Sequence, residues 1–290
     1  MVVQAKKNFK TPDGGLQPTL VRQAVFSCVA RLSGEKNIQK AWQALFRSDD
    51  TVGIKVNCIA GRGLSSTPEV VQGVVEGLRL AGVKDGNIII WDRTDRELQR
   101  AGFSVSKRGG VLCFGTDALQ TAYEPEPEII GSVGSCFSRI VSRLCTAIVN
   151  VPVLKDHDFA GVSIGLKNFY GAIHNPNKYH ENHCDPYVAD LNTHPYIRGK
   201  LRLTVCDALD AQFQGGPALA PRWRWPAGTL LVSRDPVALD AVGTSLIEAQ
   251  RREHGLPSLK EDKREPKYIA TAESRGLGVG RLEAIDRQEV

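Results

Sequence analysis

Apolar residues recur at helical spacing over residues 20–33, ending before Gly34, and again over about 36–47, where Ile38, Trp42, Leu45 and Phe46 fall on one face. Thr51–Asn57 then reads as a strand. Thr67, Pro68 and Glu69 supply an N-cap, a proline at the first helical position and an acid in the first turn, opening a helix that runs to about Ala81. A strongly apolar strand, Asn87–Trp91, leads into a short polar helix, Asp92–Ala101, closed by Gly102, and Val111–Phe114 is a further short strand. A Glu/Pro loop (124–131) follows, then a helix over Ser135–Leu144 and the most apolar strand of the chain, Thr146–Leu154. Periodicity fades over 155–200 and resumes with strands near 201–206 and 228–233 and helices near 236–250 and 266–274. At the other end, Met1 to Lys7 passes directly into polar loop residues.

Strand, helix, strand in repetition is the pattern of βαβ units. The expected fold is α/β, a mostly parallel sheet with flanking helices. It is organised as one domain over 1–290 with two approximate lobes, 48–154 and 155–290.

Composition narrows the function classes. Hydrophobic residues make up 42% and charged residues 24%, an ordinary globular balance, and the formal net charge of +5 is scattered rather than clustered. With no arginine-rich arm and no aromatic–basic platform, nucleic acid is not an expected partner. No apolar run reaches the roughly 18 residues that span a bilayer, so no membrane partner is expected either. The expected location is the cytoplasm, with export through a twin-arginine signal as the alternative if such a signal has been removed. The seven cysteines include no CxxC pair, so no ferredoxin-type iron–sulfur motif is written here.

The chemistry gathers in the stretch of weak periodicity. Five of the six histidines, His157, His174, His180, His183 and His194, fall within 38 residues, together with Cys184. Imidazole nitrogen and thiolate are good donors to nickel, zinc or iron, so His157, His180 and Cys184 form a candidate metal set. On a helix, His180 and Cys184 would share a face; a polar surface loop with capping histidines is the alternative. Lys155, Asp156 and His157 follow the most apolar strand, at the carboxyl end where open α/β sheets bind ligands. Lys155, Asp156 and Lys167 are accordingly the candidate catalytic residues. Gly161 to Asn168 carries small residues and ends in Lys167 and Asn168; a helix opening near Gly161 would offer its amides to an anion. Lys55 and Asn57, near another strand end, and Asn168 are candidate cofactor-binding residues. His174 is a candidate core residue, His194 a turn former before Pro195, and Asp240 a carboxylate of interest on the helix that Asp235 caps.

Several strings carry a resemblance: Val52 to Asn57, Ser66 to Val71, Ile90 to Asp92, Val151 to His157, Gly165 to Gly171, Ile173 to Pro176 and Asp235 to Asp240. They resemble the bacterial and archaeal family called domain of unknown function 362, over nearly the whole chain from about residue 20. The order of features is also distantly similar to the N-terminal part of nickel-pincer lactate racemases, which implies a related fold. In those enzymes a lysine anchors the pincer cofactor between histidines, and Lys167, ten residues after His157, stands at a similar spacing. The Gly-Thr-His element of those enzymes is absent where Asp92, Arg93, Thr94 and Asp95 stand, and His157 stands alone where they have a histidine pair.

The functional expectation is a metal- or cofactor-dependent enzyme, of the oxidoreductase or isomerase class, acting on a small anionic molecule. The alternatives are a non-catalytic metal carrier and a phosphate- or carboxylate-binding protein.

Overall fold

The computed structural model describes residues 1–290. The strands are β1 (Val2–Lys6), β2 (Val52–Val56), β3 (Ile88–Trp91), β4 (Leu112–Cys113), β5 (Glu128–Ile130), β6 (Val133–Ser135), β7 (Ala147–Val151), β8 (Val153–His157), β9 (Gly161–Ser163), β10 (Leu201–Gln212), β11 (Arg224–Trp225), β12 (Thr229–Ser233) and β13 (Arg287–Glu289). The helices are α1 (Pro18–Ser33), α2 (Ile38–Gln43), α3 (Pro68–Leu80), α4 (Asp95–Ala101), α5 (Gly165–Asn168), α6 (Tyr187–Thr193), α7 (Pro195–Arg198), α8 (Pro236–Glu253) and α9 (Tyr268–Ser274). Their starts follow from capping: Asn37, Thr67, Thr94 and Asp235 each accept a backbone amide in the first turn of the helix they open.

One sheet organises the molecule, in the order β13-β1-β12-β10-β7-β2-β3-β4. Along this path only β12 runs against the rest, because it pairs antiparallel with both β1 and β10 while every other pair is parallel. Successive residues on a strand point to opposite faces, and the two faces bury separate cores. Val3, Ala5, Leu230 and Val232 join the core under α1, α2, α3 and α4; Val2 and Leu231 join the one under α6, α8 and α9. Helix α2 closes tightly on α3, since a Cβ at Gly77 would come within 2.1 Å of the Trp42 ring. Strands from either side of residue 154 thus lie side by side in one sheet flanked by helices on both faces.

Four differences from the pattern read in the sequence have physical causes. Residues 2–6 form β1, whose alternate residues Val3 and Ala5 are buried between β12 and β13. Strand 146–154 is two strands, because Pro152 has no N–H to give the ladder and breaks it. Helix 135–144 shrinks to one turn at Ile140–Leu144, since Phe137 bridges to Ile173 in extended form. Strand 201–206 runs on to Gln212, its polar Asp207 being buried and satisfied by the amides of Thr67 and Leu209.

The break at Pro152 sets the site. Upstream of it β7 lies between β2 and β10; downstream, β8 stays with β10 and gains β9, but does not pair with β2. The sheet therefore parts between the end of β2 and β8. Ser66 bridges the start of this gap, its hydroxyl accepting the Asn57 amide (2.8 Å) and donating to the Val151 carbonyl (2.5 Å). The chain leaves β2 outward to β3 and β4 and returns to β7 on the other side. A ligand crevice beyond the carboxyl ends of the strands is the general expectation at such a reversal.

Candidate functional site

A cavity of about 460 Å³ occupies the gap. Seven of the nine candidate metal, catalytic and cofactor-binding residues line it: Lys55, Asn57, Lys155, His157, Lys167, Asn168 and His180.

Its floor is a network fixed by the sheet. Lys55 faces Asn150 across the β2–β7 pair and Trp91 across the β2–β3 pair. The Lys55 ammonium donates to Asp92 Oδ1 (2.8 Å), to the Val56 carbonyl (2.6 Å) and to Asn168 Oδ1 (3.4 Å). Asp92 is fully engaged, its other oxygen taking the Cys58 amide (2.8 Å). Asn168 donates to Asn150 Oδ1 (2.7 Å) and accepts from Asn57 Nδ2 (3.1 Å). Gly171 covers the pair: a Cβ there would lie 2.8 Å from the Lys55 Nζ and 3.0 Å from Asp92. Lys55 is therefore spent within the protein.

Lys155 and Lys167 are different. Both are buried, and neither makes an ion pair with any carboxylate. The Lys155 ammonium donates to Asn57 Oδ1 (2.8 Å). The Lys167 Nζ lies 3.1 Å from His180 Nε2 and 4.5 Å from the centre of the Tyr170 ring. Burial pushes each amine down from 10.5 to about 8; for Lys155 the Asp92 charge opposes this and the Lys167 charge adds to it.

The histidines take defined tautomers. His157 Nδ1 accepts the amides of Phe159 (3.1 Å) and Ala160 (3.3 Å) and lies 3.0 Å from Asp158 Oδ1; two amides donating to Nδ1 place its proton on Nε2. Burial, followed by the charge of Lys167, lowers it to about 2, so it is a neutral donor. His180 has the opposite arrangement, with Nδ1 toward the Asn177 carbonyl (3.4 Å) and Nε2 toward Lys167. The two rings stack with centres 5.5 Å apart.

Two candidates lie off the cavity. Asp156 alternates with Lys155 and His157 along β8 and so points to the other face, where it accepts the Gly216 amide (2.8 Å) and pairs with Arg264 (3.3 Å). Cys184 is buried behind Tyr170, and burial raises its thiol. The helix that would align it with His180 does not form, because Asn182, His183 and Cys184 all have positive φ (47°, 56° and 64°). His183 instead bonds the Phe159 carbonyl (2.9 Å), His194 caps α7 through the Tyr196 amide (3.1 Å), and His174 is exposed against Tyr123. Nor does a helix open at Gly161, which begins β9. The short α5 starts at Gly165, and its first amides are already held by the protein's own Asp240, at 2.7 Å from Gly165 and 3.1 Å from Leu166. This fixes the turn that carries Lys167 and Asn168.

The donors fit a resident transition metal poorly. No three His, Cys, Asp or Glu side chains anywhere in the chain gather around one point. A ligating histidine normally donates its second ring nitrogen outward; His157 accepts there, and its cavity-facing nitrogen carries the proton. Of the two histidines only His180 turns an unprotonated ring nitrogen away from the backbone, and that Nε2 already faces the Lys167 Nζ (3.1 Å).

Sequence reasoning missed Asp92, Arg93, Glu97 and Tyr170 as parts of this wall. Asp92 and Arg93 follow β3 as Asn57 follows β2, and adjacent parallel strands end at one edge; that was the available signal.

The sequence profile of the family described as "Domain of unknown function (DUF362)" matches residues 52–245, two thirds of the chain and all of the segments that build the cavity. The chain belongs to the DUF362 family. No curated protein matches this DUF362 chain significantly. Among solved structures it is similar to a protein from Thermotoga maritima, with a TM-score of 0.52 and 11% identity, over 85% of this chain and 60% of that one. At that identity the likeness is one of fold. The DUF362 chain spans about 60% of the length of this neighbour.

Proposed function

We propose that this DUF362 protein is an enzyme that binds a small organic acid and moves a proton on it, a reaction of the isomerase class. The observation that carries the reading is a pair of buried ammonium groups, Lys155 and Lys167, on one cavity and without a carboxylate partner. Burying a cation without a partner is costly, and an anionic ligand offsets that cost.

The Lys155 ammonium and the His157 Nε2–H are donors for a carboxylate, or for the oxygen of a carbonyl beside it. Lys167, held at about 8, is mostly ammonium at neutral pH, with about a tenth neutral and able to act as a general base. A proton taken from the carbon next to a 2-oxo group leaves an enolate, whose oxygen the two donors stabilise. The ammonium so formed on Lys167 donates to His180 Nε2 and faces the Tyr170 ring. Neither step draws on a metal, in keeping with the donor geometry. The oxidoreductase reading has no comparable support among the cavity residues.

The test is incubation of the protein with pyruvate in D2O, with exchange of the methyl protons followed by NMR, alongside thermal melting with and without the acid. A rise in melting temperature and exchange lost in Lys167→Met are expected. Absence of both stabilisation and exchange would sink the proposal; stabilisation without exchange would return the protein to the class of carboxylate-binding proteins.

A further inference from the structure

The same cavity has a second cationic wall that the proton-transfer reading does not use. Arg93 follows β3 and lines the cavity; its Nε is buried with no hydrogen-bond partner, and its guanidinium touches the Tyr123 hydroxyl but forms no ion pair. The adjacent carboxylate cannot serve it, because Asp92 is occupied by Lys55, the Cys58 amide and the Arg93 backbone amide itself (2.9 Å). Glu97, on the same wall, feels the Arg93 charge but makes no ion pair with it; burial, then the Asp92 charge, outweigh that charge and raise the Glu97 carboxyl. Leaving a buried guanidinium N–H unpaired is unfavourable, and the planar fork of arginine matches a carboxylate.

The position is informative. Lys155 stands on β8, which continues the line of β7, while Arg93 follows β3, with β2 between them. Lys155 and Arg93 therefore stand on opposite sides of β2, with Asn57 and Lys55 on the floor between. That placement suits a short chain with an acid group at each end.

We infer that Arg93 is a specificity-determining residue and that the preferred ligand is a small dicarboxylate, one acid group at Lys155 and the His157 Nε2–H and the other at the Arg93 guanidinium. The inference rests on the anion reading of the cavity given above and names its substrate class.

Calorimetric titration of the full chain with acids of matched carbon number, propionate against malonate and butyrate against succinate, tests it. The diacid is expected to bind about ten- to a hundredfold more tightly, the range of a charge-assisted contact. Arg93→Gln should erase that advantage while leaving monoacid affinity within about threefold, and Arg93→Lys should restore part of it. Arg93 is half-buried, and a melting curve for each variant checks that the fold is intact. Equal binding of monoacid and diacid by the unaltered protein, or equal weakening of both by Arg93→Gln, overturns the inference and leaves the anion site standing. Binding of neither acid overturns the anion site and this inference with it.

Discussion

At the scale of single residues, Lys155 is set for function against stability. It is fully buried and its amine is held near 8 rather than 10.5, a difference worth roughly 3 kcal/mol at about 1.4 kcal/mol for each unit. Lys155→Met keeps the aliphatic stem and removes the desolvated charge. It is therefore expected to raise the stability of the ligand-free protein by about 1–3 kcal/mol and to abolish stabilisation by organic acids. Urea denaturation at neutral pH with and without malonate checks both; a destabilised variant that still responds to malonate would refute the role given to Lys155. Residue type and strand-end position made most of the cavity legible in the sequence, as with Lys155, His157, Lys167 and the Lys55–Asn57 pair. Asp156 and Cys184 were not legible, because side-chain direction decides them. Asp156 belongs to the opposite face of β8, and a left-handed turn that no helical periodicity announces turns Cys184 inward.

At the scale of elements, the decisive piece is the single turn α5, too short to be stable by itself. Asp240 on α8 holds its first two amides, and Asn192 on α6 donates to the Leu166 carbonyl (2.9 Å). Lys167 and Asn168 thus reach the cavity on a turn supported from two helices. Asp240→Ala leaves two buried amides without an acceptor, each worth about 1–3 kcal/mol. It should lower stability by at least about 2 kcal/mol and weaken acid binding by misplacing Lys167, even though Asp240 touches no ligand. Wild-type affinity for malonate in a destabilised Asp240→Ala protein would show that α5 is positioned without it. The long elements were readable because caps and periodicity agree, as in α3 and α8. The short ones, β9 and α5, are made by tertiary partners and leave no period in the sequence; β1 carries alternation too brief to separate from a polar start.

At the scale of the whole molecule, the reversal of the chain at β2 and the break at Pro152 bring cationic groups from three neighbouring strands to one edge, and that charge should be visible in the pH dependence of stability. Lys155 and Lys167 hold their protons less tightly when folded (about 8) than when unfolded (10.5). Below pH 8 both states are charged and the cost of burial is full; as pH rises from 8 toward 10.5 the folded amines discharge first and the cost disappears. Stability should therefore rise with pH over that window through these two groups. The buried thiols work the other way, since Cys28, Cys113 and Cys145 are raised to about 12 and the unfolded chain loses those protons from about pH 9. The lysine contribution is isolated by comparing two proteins that share the thiols. The stability advantage of Lys155→Met over the unaltered chain should be constant from pH 6.5 to 7.5 and shrink toward zero by about pH 10. Saturating malonate should shrink it at pH 7 as well, because the anion supplies at neutral pH the partner that the unaltered lysine lacks. Urea denaturation of the two proteins across this range measures the difference directly. An advantage that stays constant to pH 10 would mean that Lys155 is not the buried, unpaired ammonium on which the anion site depends.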